Sequence, residues 1–116
     1  MLDHIGKPAI KTGGHAAWAA DIALLGQNKN VWCKLSGMVT EADWQNWKPT
    51  DFNPYLDVIV NTFGADRIMF GSDWPVCKIA ADYGQVLGIA ETYFSAFTKT
   101  EQANIFGGNA ARFYNL

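Results

Sequence analysis

The sequence predicts an α/β fold built on a parallel sheet, and three observations carry that expectation. Short β-like runs alternate along the chain with longer stretches of helical apolar spacing. The second and third of those runs are nearly continuous in apolar residues, which suits strands covered on their outer face by helices. Helical crossovers separate the runs, and a strand that rejoins a sheet after such a crossover lies parallel to its predecessor.

Each element follows in order. Residues 1–5 (Met-Leu-Asp-His-Ile) read as the end of a strand, closed by Gly6-Lys7-Pro8. From Gly14 to about Gln27, Trp18, Ile22 and Leu25 recur at helical spacing among alanines, and Gly26 stands near the stop. Val31 to Ser36 is the second strand. Residues 38–51, with Trp44, Trp47 and Pro49, are too irregular for helix and read as a long loop with one helical turn. Asn53-Pro54 is an N-cap followed by proline at the first helical position, and Leu56, Ile59, Val60 and Phe63 form one stripe before Gly64. Arg67 to Gly71 is the third strand, ending in the breaker cluster Ser72-Asp73-Trp74-Pro75. Asp82 to about Phe97 returns to helix. Thr98 and Glu101 have the spacing of a capping box for a short helix to about Phe106, after which Gly107-Gly108-Asn109 resets the chain.

The composition excludes several classes of function. With 9 Lys+Arg against 11 Asp+Glu and no basic run, the chain lacks the electrostatic footprint for nucleic acid or an anionic membrane surface. No apolar stretch approaches the roughly 18 residues of a membrane span. The first residues carry no basic leader with an apolar core, so a cytoplasmic setting is expected. Cys33 and Cys77, 44 positions apart, read as reduced packing residues. Trp18, Tyr55, Phe63, Phe70, Phe106 and Tyr114 read as core, and His15 as exposed or packed in a loop. The glycine-rich phosphate loops, HExxH, GxSxG and EF-hand patterns are all missing.

Substrates of α/β sheets and barrels bind at the carboxyl ends of the strands. Those ends carry Asp3-His4, then Lys34-Leu35-Ser36-Gly37, then Gly71-Ser72-Asp73-Trp74-Pro75. Side chains alternate along a strand, so if Val31, Cys33 and Leu35 face the helices, Lys34 and Ser36 face the other way. The same parity turns Met69, Gly71 and Asp73 inward. A histidine, a carboxylate and a lysine would then share one mouth, a plausible acid-base site. Each also has a plain reading: His4 as a surface residue, Asp73 as a turn cap, Lys34 wetted at a sheet edge. Trp32 shares the parity of Lys34 and needs both space and a partner for its N–H. Trp44, Trp47 and Trp74 would offer an apolar wall to a ring-shaped substrate, or simply pack.

Four segments in order carry a family likeness: Asp3-His4-Ile5-Gly6-Lys7-Pro8, Cys33-Lys34-Leu35-Ser36-Gly37, Phe63 through Gly71-Ser72-Asp73-Trp74-Pro75-Val76-Cys77, and Ile105 through Gly107-Gly108-Asn109 to Tyr114. Together they resemble the carboxyl-terminal part of the amidohydrolase-related (amidohydrolase 2) family, and within it the branch of sugar lactonases acting on L-fucono- and L-rhamnono-lactones. The likeness runs from about residue 2 to residue 116.

That resemblance implies a (β/α)8 TIM barrel in which the three strands here are the sixth, seventh and eighth, so that residues 1–116 form a partial barrel domain. It implies that Asp73 activates the attacking water as general base and that His4 lies beside the substrate carbonyl or a metal. It matches Lys34 and Ser36 to a strand-seven signature that contacts substrate or balances Asp73, and it places Trp74, with Trp44 from the loop, at the substrate. One divalent metal, zinc or manganese, held by Asp73 and His4 is implied for some members, and metal-independent action for others. The implied substrate is a small molecule, a sugar lactone or related cyclic ester. The first-strand His-x-His pair of the family is not in this chain, whose only histidines are His4 and His15. A barrel of this kind takes about 250 residues, so the missing half or self-association is expected to cover the strand edges, and the chain alone is expected to be inactive. A metal-dependent decarboxylase and a non-catalytic half-barrel assembly module stand as alternatives.

Overall fold

A computed structural model describes all of residues 1–116. Two strands, β1 (Cys33–Leu35) and β2 (Ile68–Phe70), pair in parallel with Cys33 opposite Ile68, Lys34 opposite Met69 and Leu35 opposite Phe70. The leading segment joins the free edge of β1 by a single parallel bridge between Leu2 and Cys33. Its hydrogen bonds run from Leu2 N–H to the Trp32 carbonyl (2.7 Å) and from Lys34 N–H to the Leu2 carbonyl (2.8 Å). Three parallel segments therefore lie side by side in chain order, each linked to the next by a helical crossover. Sequential order is the arrangement of a barrel wall, whereas a doubly wound sheet reverses its order at a switch point.

The helices are α1 (Ala16–Gly26), α2 (Asn53–Phe63), α3 (Tyr83–Tyr93), α4 (Lys99–Ala103) and α5 (Asn109–Phe113). Of these, α1, α2 and α3 lie against one face of the sheet, because one buried cluster joins Cys33, Leu35 and Ile68 to Ile22, Leu56 and Ile89. Met69 is also buried but lies outside that cluster, as its register with Lys34 on the opposite face requires. The inward and outward sets thus follow the parity read from the sequence. α1 and α2 approach so closely that a Cβ at Gly26 would come within 2.1 Å of Thr62 Cγ2. Beside this contact, the Arg67 guanidinium donates to the carbonyls of Gly26, Asn28, Val31 and Thr62, tying both helix ends to the start of β2.

Several local expectations meet their physical reasons here. α2 begins at Asn53 as the stripe demanded, but a 3-10 turn (Pro49–Phe52) runs straight into it, so Phe52 and not Asn53 occupies the cap position. The cap of that turn is instead built by the Asp51 carboxylate accepting from Lys48 N–H at 2.8 Å. Asp82 caps α3 reciprocally with Gln85, and Thr98 caps α4 with Glu101. Gly107-Gly108 does not reset the chain: α4 flows through a π turn (Asn104–Gly108) into α5, a widening that two residues without side chains accommodate. Leu25 is left partly exposed on α1, and Tyr114 is 49% exposed and not core.

Both cysteines are free and buried. Burial pushes the Cys33 thiol up to about 12, with the nearby Asp3 carboxylate adding to the shift. It packs as a small apolar side chain.

Candidate active site

The site is assembled at the carboxyl ends of the three parallel segments. Beyond Leu2 the backbone turns into a left-handed path, with φ of 54° at His4, 46° at Ile5, 73° at Gly6 and 48° at Lys7. L-residues other than glycine resist that conformation by about 1–2 kcal/mol each, so the surroundings must over-determine it. They do: Ile5 is fully buried, its carbonyl accepts from Trp18 Nε1 at 2.8 Å, and Lys7 N–H returns to the His4 carbonyl at 2.9 Å. The expected strand therefore ends almost at once in a tight turn, and that turn carries the His4 ring over the end of β1.

There His4 Nδ1 meets Ser36 Oγ at 2.9 Å and lies 3.9 Å from Asp73 Oδ1. Ser36 is 2% exposed. Gly37, in the left-handed region at φ 66°, passes directly beneath the imidazole: a Cβ there would stand 2.8 Å from both Cβ and Nδ1 of His4. Asp73 also has a left-handed backbone, φ 57°, at the bend where β2 gives way to the following 3-10 turn (Val76–Ile79). Gly71, between β2 and that bend, leaves room for its neighbours, since a Cβ would meet Lys34 Cγ and Cδ and Ser36 Cβ, each at 3.3 Å. Gly37→Ala is accordingly expected to cost about 2 kcal/mol, from the forbidden φ and the clash with His4. A denaturant midpoint unchanged from the parent chain would show that the turn yields without strain.

Lys34 points to the same inward face but one step below His4. Its Nζ pairs with Asp3 Oδ1 at 2.9 Å. The hydrogen bond from Lys34 holds the Asp3 carboxyl below its ordinary value, and the same bond, helped by the Tyr114 hydroxyl, holds the lysine above its own. The carboxylate neutralised by Lys34 is thus Asp3, a partner that sequence reasoning missed although it stands directly before His4. Trp32, deeper on the same face, packs its ring on Phe113 with centroids 5.6 Å apart.

The aromatic residues divide. Trp74 follows Asp73 and is 62% exposed beside the site. Trp44 is 50% exposed, donates to the Thr40 carbonyl at 2.9 Å and lines clefts with Lys11, Asp43 and Gln45 that include neither His4 nor Asp73. Trp47 is tied inward, donating to the Ala80 carbonyl and packing on Phe52, so it forms no wall. His15 packs against Trp18 and Tyr55 and bonds the Pro54 carbonyl through Nε2. The structure therefore gathers His4, Ser36 and Asp73 closely, sets Lys34 just beneath and Trp74 alongside, and leaves Trp44 apart.

An imidazole nitrogen and a carboxylate oxygen are donors that zinc or manganese accepts. A catalytic zinc takes three protein ligands and keeps one position open. His4 and Asp73 would supply two, and no third His, Cys, Asp or Glu of this chain joins them. The pair fits a metal as part of a larger ligand set.

The chain is similar to known proteins along its whole length. The model of the amidohydrolase family matches residues 1–116. The chain is 41% identical to an L-fucono-1,5-lactonase of Burkholderia multivorans, covering all of this chain and 43% of that protein, and 38% identical to an L-fucono-1,5-lactonase of Burkholderia ambifaria, covering 41% of it. It spans about two fifths of the length of these relatives. A crystal structure of an amidohydrolase from Burkholderia multivorans with bound zinc superimposes with a TM-score of 0.93 at 43% identity, over 99% of this chain and 43% of that one. A more distant likeness, to amidohydrolase 2 from Bifidobacterium longum subsp. infantis (24% identity, TM-score 0.72, 98% of this chain and 38% of that one), extends to the fold alone. With a parallel α/β wall, a histidine and an aspartate at its carboxyl end and a family match along its whole length, the chain belongs to the amidohydrolase family.

Proposed function

We propose that this chain forms the sixth, seventh and eighth strands of a (β/α)8 barrel that hydrolyses a sugar lactone, with Asp73 as general base and His4 as the group that stabilises the developing oxyanion. The observation that carries the proposal is the placement of His4 Nδ1 3.9 Å from Asp73 Oδ1 at the carboxyl end of the parallel segments. A base and an oxyanion donor must approach one carbonyl from different directions, and side chains from different strands do so.

In the proposed reaction the Asp73 carboxylate takes a proton from water as the water oxygen bonds to the lactone carbonyl carbon. The carbonyl oxygen gains the negative charge and accepts a hydrogen bond from His4. Collapse breaks the ring C–O bond, and the proton held on Asp73 passes to the departing ring oxygen, which becomes the hydroxyl of the open acid. Trp74 lines the substrate's path. Lys34 holds Asp3 and through it the turn that carries His4. A divalent metal, zinc or manganese, would be held in part by His4 and Asp73 and would supply Lewis-acid polarisation of the carbonyl.

The lactonase relatives favour ring opening over decarboxylation. The complete barrel enzyme, supplied with L-fucono-1,5-lactone and monitored by a pH indicator and for carbon dioxide, is expected to release acid without gas. Gas evolution, or no turnover of any sugar lactone, overturns the proposal. The isolated 116-residue chain, which presents only three parallel segments, is expected to show no turnover.

A further inference from the structure

Ser36 is almost fully buried, and the only hydrogen-bond partner of its hydroxyl in the chain is His4 Nδ1 at 2.9 Å. We propose that Ser36 is a positioning residue: its hydroxyl donates to His4 Nδ1 and holds the imidazole as the Nε2–H tautomer, so that Nε2–H is the donor offered to the substrate's carbonyl oxygen. The proposal rests on the oxyanion role given to His4 above.

Donor accounting carries the argument. A neutral imidazole has one donor and one acceptor nitrogen, so the bond at Nδ1 decides what Nε2 presents. If Nδ1–H donated to Ser36, the serine proton would be buried with no acceptor in reach, which native interiors avoid. If the hydroxyl donates to Nδ1, the serine proton is satisfied and Nε2, which makes no hydrogen bond within the chain, carries the other proton outward. Asp73 pulls the other way, since a carboxylate near Nδ1 favours a proton there. At 3.9 Å it lies beyond hydrogen-bond distance, and the direct bond at 2.9 Å outweighs it. The ring is also held in place for this bond: Gly37 lies beneath it and the left-handed turn fixes its Cα. The opposite tautomer is the one a metal on Nε2 requires, because a ligating histidine donates its second N–H to a neighbouring group. Ser36 therefore biases His4 toward carbonyl recognition and away from metal ligation through Nε2.

Ring nitrogen NMR of the complete barrel enzyme labelled with 15N-histidine tests this, with the His4 and His15 resonances assigned by their loss in His4→Gln and His15→Gln. His4 is expected to show the Nε2–H form in about tenfold excess, the ratio a hydrogen bond of this kind supports. Ser36→Ala is expected to reduce that excess several-fold, and Ser36→Thr, which keeps the hydroxyl, to restore it. His15, held between Trp18 and Tyr55, reports whether each variant is folded. If Ser36→Ala unfolds, the native and threonine spectra decide: the same Nε2–H excess in both supports the proposal, and its absence in either overturns it. An Nδ1–H form in the native enzyme, or an excess that survives in a folded Ser36→Ala, also overturns it. None of these readouts needs turnover, so an enzyme that fails to open lactones would sink the proposed function and leave this result standing.

Discussion

Asp73→Asn in the complete barrel enzyme is expected to lower kcat for lactone hydrolysis by about 100- to 10,000-fold, the range that loss of a general base spans. The substitution is chosen for the backbone as well as for the chemistry. Asp73 sits at φ 57°, and asparagine is one of the few residues that accepts the left-handed region nearly as well as aspartate. The amide keeps the size of the carboxylate but cannot take a proton from water. Stability and the pairing of His4 with Ser36 should survive, because Asp73 is not within hydrogen-bond distance of His4. Turnover within a few-fold of the parent enzyme, at unchanged thermal midpoint, would remove Asp73 from the mechanism. Asp73→Ala is a poorer test, since it changes the cost of the left-handed bend together with the chemistry.

Asn109→Leu should produce the largest loss of stability, about 3 kcal/mol and roughly 10 °C in Tm. Asn109 is fully buried at the start of α5. Its Nδ2 donates to the carbonyls of Ala65 (2.7 Å) and Ile68 (2.6 Å), and its Oδ1 accepts from Arg112. Leucine fills a similar volume but leaves two carbonyls without these donors, at about 1–3 kcal/mol for each group stranded in the interior. The same side chain clasps the carboxyl-terminal helix to the sheet, so its loss should loosen the region around β2 before the rest. Hydrogen exchange is expected to quicken first in residues 104–113. A midpoint shift under about 2 °C would mean that the clasp is replaced by water at little cost.

Asn109 also shows why some of the fold was legible from the chain and some was not. The motif Gly107-Gly108-Asn109 suggested a break, because glycine pairs commonly end helices. The interior decided otherwise: the buried amide must reach two carbonyls more than 40 positions earlier in the chain, and a π turn lets the helix continue into that contact. The caps at Asp82 and Thr98 and the stripe of α2 were readable because they depend on residues three or four positions apart. The cap at Asn53 was misplaced because a preceding 3-10 turn, invisible to helical periodicity, moves the start of the helix.

The site divides in the same way. Strand parity placed Lys34 and Ser36 on the face opposite the core, and the motif likeness singled out His4 and Asp73. Nothing in local sequence showed that Lys34 would pair with Asp3, that Ser36 would meet His4 Nδ1, or that Trp44 would lie away from both. These facts depend on a left-handed turn at residues 4–7 and on Gly37 passing under a ring 33 positions away. The sequence by itself determined the alternation of strands and helices and the buried faces, because periodicity is written in near neighbours, and its four motif segments carried the family resemblance. Only the tertiary structure decided which polar groups touch, since hydrogen-bond partners are set within a few tenths of an ångström by long-range packing that no local pattern encodes.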